Sequence, residues 1–184
     1  MRERWGRTVF HCPYCHAYEL GRERFAVLAT CPMSLHQTVL VSDWASPGGT
    51  TLFLAGALEL DTAQRNDLAA RGIHVEPRRV VAVAGDEPLL DVRLEDGREL
   101  RFRGLFLQPR TRPAVALAGS LGCALEDGPL GPFFRTDETK ETTVRGVFAC
   151  GDVARGMGSL AFAVGDGARA GMAAHQSLLF RPAE

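Results

Sequence analysis

From residue 25 the sequence reads Phe25-Ala-Val-Leu-Ala-Thr30, a mainly apolar run that is typical of a β-strand buried on both faces. Pro32 follows and suits the first turn of a helix, which the pattern predicts over Met33 to Trp44. The turn Ser46-Pro-Gly-Gly49 then leads to a second predicted strand over Thr50 to Ala55. A strand, a helix and a second strand in this order predict a parallel α/β sheet.

The following segments continue this alternation. Asp61 can cap a helix that runs through Ala70, and Gly72 can close it. Ile73 to Glu76 is a short third strand. The alternation of strands and helices is thus the pattern of a parallel α/β sheet.

The period of the sequence changes after residue 78. Three short strands are predicted over 79–84, 89–94 and 99–102. The turn residues between them indicate an antiparallel meander inserted into the domain, and Leu105 to Leu107 is predicted as a return strand.

The C-terminal part has a different composition. Residues 109–143 are rich in Pro, Gly and polar residues and are predicted to be mostly loop. Val147 to Cys150 is predicted as another buried strand, and Leu160 to Phe180 as a long apolar helix. The predicted divisions are a dithiol segment (1–21), a nucleotide-binding-like domain (22–108) and a C-terminal part (109–184).

The composition of the chain limits its functions. Its 184 residues are 46% hydrophobic and carry a net charge of −1, with no basic face, so nucleic acid is not an expected partner. No apolar run reaches the length of about eighteen residues that a membrane span needs. The charged N-terminus, Met1-Arg-Glu-Arg-Trp5, lacks the apolar core of a signal peptide. These features predict a cytoplasmic protein, in which the five cysteines are not a structural disulfide framework.

The segment His11-Cys-Pro-Tyr-Cys-His16 places two cysteines at the Cys-x-x-Cys spacing. In a reducing compartment this spacing indicates redox or metal chemistry. At a helix start, the N-terminal dipole and nearby positive charge favour a thiolate at one cysteine, and the second cysteine resolves the mixed disulfide. Pro13 restricts the turn, and the flanking histidines can exchange protons near neutrality. Cys12 and Cys15 are therefore predicted to form a reversible dithiol/disulfide pair.

Four other interpretations compete with the redox pair. The segment matches the attachment pattern of a c-type haem, which requires export. A zinc site needs four ligands, and the two cysteines with their flanking histidines are too crowded to supply them all, so no metal site is predicted. Glutaredoxin-type active sites also use Cys-Pro-Tyr-Cys but have a strand before it, whereas only eleven residues precede Cys12. The pair could also be ordinary core cysteines. The remaining cysteines, Cys31, Cys123 and Cys150, are predicted to be buried apolar residues.

Three blocks of the sequence have an order and spacing that point to a family. They are His11 to Glu19, Val27 to Met33 with His36-Gln37, and Gly146 to Asp152 with Gly165-Asp-Gly167 on the helix that follows. Together they resemble the thioredoxin reductase-like FAD/NAD(P)-binding pyridine nucleotide-disulfide oxidoreductases. The resemblance implies that 22–108 is a Rossmann-like, three-layer nucleotide-binding domain with the β-meander inserted, and that 109–184 is the C-terminal part of a discontinuous FAD-binding domain. The resemblance implies electron transfer from NADPH or NADH to FAD, then to the dithiol. It also implies a thioredoxin-like protein or a small-molecule disulfide as the final partner.

The resemblance implies roles for particular side chains of the dithiol segment. Cys15 is the implied sulfur next to the flavin, and Cys12 the sulfur that meets the substrate disulfide. His16 lies where relatives carry an acid–base residue.

The C-terminal segment is the implied flavin-binding region. The resemblance implies that Asp152 bonds to the ribityl chain of FAD and that Gly151 lets the backbone approach the cofactor. The amides around Ser159 and Leu160 begin the last helix, whose positive dipole end would face the flavin ring.

The loop after the first strand is the implied nicotinamide-binding site. Its implied cofactor-binding residues are Ala29, Thr30, Pro32 and Met33. A Rossmann loop has the pattern Gly-x-Gly-x-x-Gly, whereas Ala29, Cys31 and Ser34 stand at the glycine positions. The side chain of Cys31 would intrude where the pyrophosphate approaches the backbone. Weak or absent binding of NADPH and NADH is therefore expected.

In this family a glycine-rich half of the FAD domain precedes the dithiol, and the residues before Cys12 do not contain one. We therefore expect an incomplete flavoprotein: a truncated or split gene product, a start assigned too late, or a chain completed by a complementary FAD-binding chain or by a homo-oligomer. FAD is not expected to bind tightly to this chain alone. The apolar residues from 147 to 150 and from 160 onward are expected to form an exposed patch.

Three functions follow from these expectations. The first is a thioredoxin reductase-like, flavin-dependent disulfide oxidoreductase that uses Cys12 and Cys15. The second is a dithiol oxidase that uses FAD and O₂, which the altered nucleotide loop favours. The third is a non-catalytic remnant or one half of a heteromeric flavoprotein, which the missing phosphate-binding half favours.

Overall fold

Five parallel strands run through the first part of the chain in the computed structural model, which describes residues 1–114 and 119–180. The strands are β1 (Val9–Phe10), β2 (Phe25–Leu28), β3 (Thr50–Phe53), β4 (His74–Glu76) and β8 (Gly104–Leu107), in the spatial order β1-β8-β2-β3-β4. The predicted strands at 25–30, 50–55 and 73–76 are confirmed as parallel neighbours, although each is one or two residues shorter than predicted.

The first three helices are α1 (Pro13–His16), α2 (Met33–Trp44) and α3 (Thr62–Ala70). The bounds of α2 agree with the prediction at both ends. α3 begins with a capping box, in which Asp61 Oδ1 accepts a hydrogen bond from the Gln64 amide and Gln64 Oε1 accepts one from the Asp61 amide. Gly72 ends this helix with a φ of +70°, a conformation that favours glycine.

An antiparallel sheet is inserted before the return strand, as predicted. It consists of β5 (Val80–Ala84), β6 (Leu90–Leu94) and β7 (Glu99–Phe102).

The side chains of β2 show how the layers pack, because successive residues of a strand point to opposite faces. Phe25 and Val27 pack in one core cluster with residues of α2 and α3, whereas Ala26 and Leu28 pack in a second cluster with residues of β6 and β7. The parallel sheet is thus the middle of three layers, which confirms the predicted fold class.

The two cysteines of the dithiol are preceded by a strand, β1, that the sequence did not predict. β1 has only two residues, too few for a hydrophobic period to identify it, but both are buried and pair with β8. The distinction from glutaredoxins assumed that no strand comes before the motif, and this assumption is wrong. β1 lies at the edge of the five-stranded parallel sheet.

The chain folds as two compact units, Met1–Pro109 and Arg110–Glu184. The second unit contains β9 (Leu125–Gly128), β10 (Gly131–Phe134), a short 3₁₀ turn (Gly151–Ala154) and α4 (Leu160–Phe180). The helix agrees with its predicted bounds. Apart from the hairpin of β9 and β10, the described residues of 109–143 are mostly loop, as predicted, and residues 115–118 of that prediction lie outside the described residues.

The predicted buried strand from Val147 to Cys150 is wrong. Its backbone instead lies beside residues 140–142 through a single bridge between Glu141 and Phe148, and Cys150 is exposed. An apolar run becomes a doubly buried strand only when it pairs into a sheet that is covered on both faces. Among the described residues of this unit, only residues 140–142 lie alongside it.

None of the helices within residues 1–114 and 119–180 is both long and apolar enough to span a membrane.

Candidate active site

The dithiol lies where a parallel strand ends and a helix begins. Cys12 occupies the N-cap position of α1, and buried Pro13 is its first residue. Proline fits this position because its ring presets the helical φ and the missing N–H has no helical partner to lose. Carboxyl ends of parallel strands lie at one edge of a sheet, so the dithiol and the loop after β2 share that edge.

The two sulfur atoms of the Cys-x-x-Cys segment are adjacent. Both cysteines are free thiols, and Cys15 Sγ donates a hydrogen bond to Cys12 Sγ. This bond raises the pKa of the Cys15 thiol to about 11, with burial and the charge on Cys12 adding to the effect. The proton is thus held on Cys15, and Cys12 is the sulfur that accepts the hydrogen bond. This arrangement suits Cys12 as the attacking sulfur and Cys15 as the resolving one.

His16 completes the predicted catalytic group and lies in the same short helix. Its ring is half-buried and stacks on Phe10 of β1, with ring centroids 4.6 Å apart. Nδ1 is buried and has no hydrogen-bond partner among the described residues. An unsatisfied ring nitrogen next to the dithiol is able to receive or donate a proton.

Gln37 connects the dithiol segment to α2, a role that the sequence analysis did not assign. Its side chain is fully buried, and Nε2 donates a 2.6 Å hydrogen bond to the carbonyl oxygen of His11, the residue before Cys12. A buried amide is costly unless it is hydrogen-bonded, so this bond fixes the backbone at the start of the dithiol. A buried polar residue within the helix after a Rossmann-like strand is the signal that could have indicated this role.

The side chain of Ser34 binds two backbone amides of the loop between β2 and α2. Ser34 is fully buried, and its Oγ accepts hydrogen bonds from the amides of Thr30 (3.0 Å) and Cys31 (3.4 Å). In a dinucleotide-binding loop, amides at these positions are directed at the pyrophosphate. Here both amides donate their hydrogen bonds to the hydroxyl of Ser34 instead, so the loop does not fit a nicotinamide dinucleotide.

The other predicted residues of this loop have mixed exposure. Ala29 is buried, Thr30 and Met33 are half-buried, and Pro32 is exposed. Thr30 Oγ1 donates a hydrogen bond to the Gln108 carbonyl oxygen after β8 (2.6 Å), which further binds the loop to the sheet.

The predicted flavin-contacting residues of the second unit lie around the 3₁₀ turn and the start of α4. Gly151 is buried with a φ of +72°, and a Cβ there would lie 3.4 Å from Ala163 of α4, so glycine serves helix packing at this position. Asp152 is exposed, and its carboxylate lies so close to Gly158 that a side chain there would clash. Ser159 Oγ accepts a hydrogen bond from the Phe162 amide and thereby caps α4.

These residues fit part of a flavin. The exposed carboxylate of Asp152 can accept hydrogen bonds from hydroxyl groups, and exposed Leu160 lies at the amide-rich start of α4. Within 151–160 there is no strand–glycine-rich turn–helix unit of the kind that binds a diphosphate. The fit therefore covers the ribityl chain and ring but not the diphosphate.

The three other cysteines differ in exposure. Cys123 is buried and lies 3.4 Å from Thr142 Oγ1, as predicted for a core residue. Cys31 is half-buried and Cys150 is exposed, which corrects their prediction as buried residues. Across residues 1–114 and 119–180, no three His, Cys, Asp or Glu side chains are grouped as metal ligands.

Known proteins resemble this chain in sequence and in structure. The family model described as pyridine nucleotide-disulphide oxidoreductase matches residues 54–167. Thioredoxin reductase sirT of Leptosphaeria maculans is 33% identical over 181 residues, covering 91% of this chain and 54% of the relative. Thioredoxin reductase tcpT of Claviceps purpurea is 33% identical over 186 residues, with coverages of 96% and 56%. A crystal structure of an oxidoreductase from Agrobacterium tumefaciens matches with a TM-score of 0.92 and 51% identity, over 99% of this chain and 60% of that chain.

The chain therefore belongs to the pyridine nucleotide-disulphide oxidoreductase family, and its relatives are thioredoxin reductase-like. It spans slightly more than half the length of these curated relatives.

Proposed function

We propose that the chain is the dithiol-bearing part of a thioredoxin reductase-like, flavin-dependent disulfide oxidoreductase. The observation that carries this proposal is the hydrogen-bonded pair of Cys12 and Cys15 at the carboxyl edge of a parallel sheet. Family membership and the partial fit of Asp152 and the start of α4 to a flavin also support it.

The chemistry assigned to the pair is thiol–disulfide exchange. The Cys12 thiolate attacks one sulfur of a substrate disulfide, forms a mixed disulfide and releases the first substrate thiolate. Cys15 then loses its proton and attacks Cys12, which releases the second substrate thiolate and leaves the Cys12–Cys15 disulfide. The substrate gains two electrons and two protons, the protons being the one that Cys12 lost on forming its thiolate and the one that Cys15 loses, and we assign one of these transfers to His16. Bound flavin in its reduced form, after accepting two electrons from a donor such as NADPH, would supply the two electrons that restore the dithiol.

The surface around the dithiol supports a protein or small molecule with an accessible disulfide as the substrate. Tyr14 lies between the two cysteines and is 68% exposed, and Tyr18 is 78% exposed. Exposed aromatic side chains are common at binding surfaces because they bury a large area with little loss of entropy. A thioredoxin-like protein or a small-molecule disulfide remains the proposed partner.

Trapping of the mixed disulfide tests the proposal. Cys15→Ser lacks the resolving thiol and should accumulate a covalent adduct on Cys12 when mixed with an aromatic disulfide reagent or an oxidised thioredoxin. Cys12→Ser is the matched control, in which an adduct on Cys15 should form more slowly than the adduct on Cys12 does in Cys15→Ser. Peptide mass spectrometry locates the adduct. Adducts in Cys12→Ser at Cys15, at the rate seen for Cys12 in the other variant, would contradict the assigned order.

The self-closed loop favours a second candidate, in which the same pair runs in reverse. A small dithiol would reduce the Cys12–Cys15 disulfide, the electrons would pass to flavin, and O₂ would accept them. Such an enzyme needs no nicotinamide, and Ser34 already occupies the amides that would bind it. Calorimetric titration with NADPH and NADH separates the candidates: no saturable binding favours the oxidase, and micromolar binding of either favours the reductase.

The exposed apolar side chains of α4 favour a further alternative, that the chain is one half of a heteromeric flavoprotein or a non-catalytic remnant. Leu160 and Leu178 are each 83% exposed. An absorption spectrum of the purified chain, before and after a glycine-rich FAD-binding half is added, tests this. Flavin bound only after the addition supports the heteromer, and stoichiometric flavin on the chain alone contradicts both alternatives.

A further inference from the structure

The helix α4 buries one carboxylate among its largely apolar residues. Asp166 is only 4% exposed. Its Oδ1 accepts hydrogen bonds from Arg155 Nη2 at 2.7 Å and from Lys140 Nζ at 3.1 Å, and Arg155 Nε bonds to its other oxygen. The bond from Arg155 is the largest of the effects that hold the pKa of this carboxyl well below its usual range. Asp166 is therefore ionised, with two cations fixed around it.

A cavity of about 360 Å³ opens beside this ion pair within the second unit. Arg169 joins Lys140 and Arg155 in its lining, and Asp166 is the single acidic lining residue. Two positive charges of the lining are thus not balanced by any lining carboxylate. Like charges close together in a partly enclosed space repel one another, and an anion between them removes that cost.

The guanidinium groups are held in fixed directions. Arg169 Nη1 donates a hydrogen bond to the Glu138 carbonyl oxygen at 3.1 Å, which uses one of the five N–H donors of its guanidinium. Arg155 is held by Asp166 and lies over the ring of Phe162, 5.0 Å from the ring centroid. Prearranged guanidinium groups are well suited to phosphate oxygens because they donate in a planar, bidentate fashion.

We propose that this cavity, the Asp166 cavity, binds the phosphate group of a small molecule. Lys140, Arg155 and Arg169 supply the positive charge, and Asp166 fixes two of these side chains rather than contacting the ligand. Phe162 is 57% exposed and forms an apolar wall on which an aromatic or aliphatic part of a phosphate ester can lie. All residues of the site belong to the second unit, and the proposal does not depend on the function proposed above.

The binding test uses the full chain, with inorganic phosphate and phenyl phosphate as probes in calorimetry at constant ionic strength. Both probes should bind with saturation, and tighter binding of phenyl phosphate would assign the site to a phosphate ester that also uses Phe162. Tighter binding of inorganic phosphate would assign it to free phosphate. Absence of saturable binding of either probe overturns the proposal.

Substitution of Arg169 shows whether binding occurs in this cavity. Arg169→Gln leaves the Asp166 ion pairs intact and should weaken phosphate binding roughly tenfold or more, as expected for the loss of a charge-assisted contact. Arg135→Gln is the matched control, because Arg135 is exposed, lies outside the lining and carries the same charge. Equal affinities of the two variants overturn the proposal. Unchanged thermal unfolding of both variants verifies that each is folded.

Discussion

The proton held by Cys15 decides which sulfur of the pair reacts first. With a pKa raised to about 11, Cys15 is a thiol at neutral pH, and its thiolate fraction grows only as the pH rises towards that value. We expect iodoacetamide to modify Cys12 before Cys15 near pH 7. In Cys12→Ala the hydrogen bond to the Cys12 sulfur is lost, so the pH profile of Cys15 alkylation should move to lower pH. Stopped alkylation followed by peptide mass spectrometry measures both profiles, and an unmoved profile contradicts this cause of the shift.

Gln37 is a positioning residue for the dithiol. Gln37→Leu keeps the volume but removes the bond to His11, and we expect a loss of about 1 kcal/mol of unfolding free energy. It should also change the pH profile of alkylation at Cys12 and Cys15, because the backbone that precedes them is released.

Thr38→Val is the control for Gln37→Leu, since Thr38 is equally buried on α2 and its hydroxyl bonds to the Ser34 carbonyl oxygen rather than to the dithiol segment. It should lower stability without moving the alkylation profile. If the two variants move the profile equally, Gln37 has no specific role at the dithiol.

At the scale of elements, the loop between β2 and α2 joins a strand to a helix as in a Rossmann fold, but two of its amides already donate hydrogen bonds to the Ser34 hydroxyl. Ser34→Ala removes the acceptor of the Thr30 and Cys31 amides and should lower the unfolding free energy by about 1 kcal/mol. Hydrogen exchange at both amides should accelerate, which denaturant titration with exchange mass spectrometry can follow. Ser42→Ala removes a hydroxyl that bonds within α2 and serves as the control. Unchanged exchange in Ser34→Ala would mean that the hydroxyl does not close the loop.

The sequence correctly predicted the helices and strands whose patterns lie within one short stretch of the chain. Periodicity, turn residues and caps determine α2, α3, the meander and the parallel neighbours of β2, and each was predicted within a few residues. β1 was missed because two residues carry no period. Residues 147–150 were wrongly predicted as a strand because the sequence shows an apolar run but not which strands lie beside it.

The residues of the candidate sites also differ in whether the sequence could predict them. Cys12 and Cys15 follow from their spacing, and their adjacency was predictable. The roles of Ser34 and Gln37, and the grouping of Lys140, Arg155 and Arg169 around Asp166, depend on contacts between residues distant in sequence. A charged residue inside the apolar helix α4 was the visible signal for the last of these.

At the scale of the whole molecule, α4 exposes many of its apolar side chains, as the sequence analysis expected. Its most exposed apolar residues are Leu160, Phe162, Val164, Met172, Leu178, Leu179 and Phe180. Such a surface favours association, so sedimentation velocity should show self-association that increases with protein concentration. Leu178→Lys should reduce it, whereas Gln176→Lys, an exposed polar position on the same helix, should change it little. A monomer at all concentrations would contradict this prediction.

The proposed function depends most on reversible disulfide formation between Cys12 and Cys15. The direct measurement is to count alkylated cysteines by mass spectrometry in the reduced chain and after mild oxidation. All five cysteines should be modified after reduction in denaturant, and two fewer after oxidation, with the new disulfide joining Cys12 to Cys15. Cys12→Ser and Cys15→Ser should each lose no thiols to an intramolecular bond. An intramolecular disulfide that forms equally in both single variants would contradict the assignment of the redox pair.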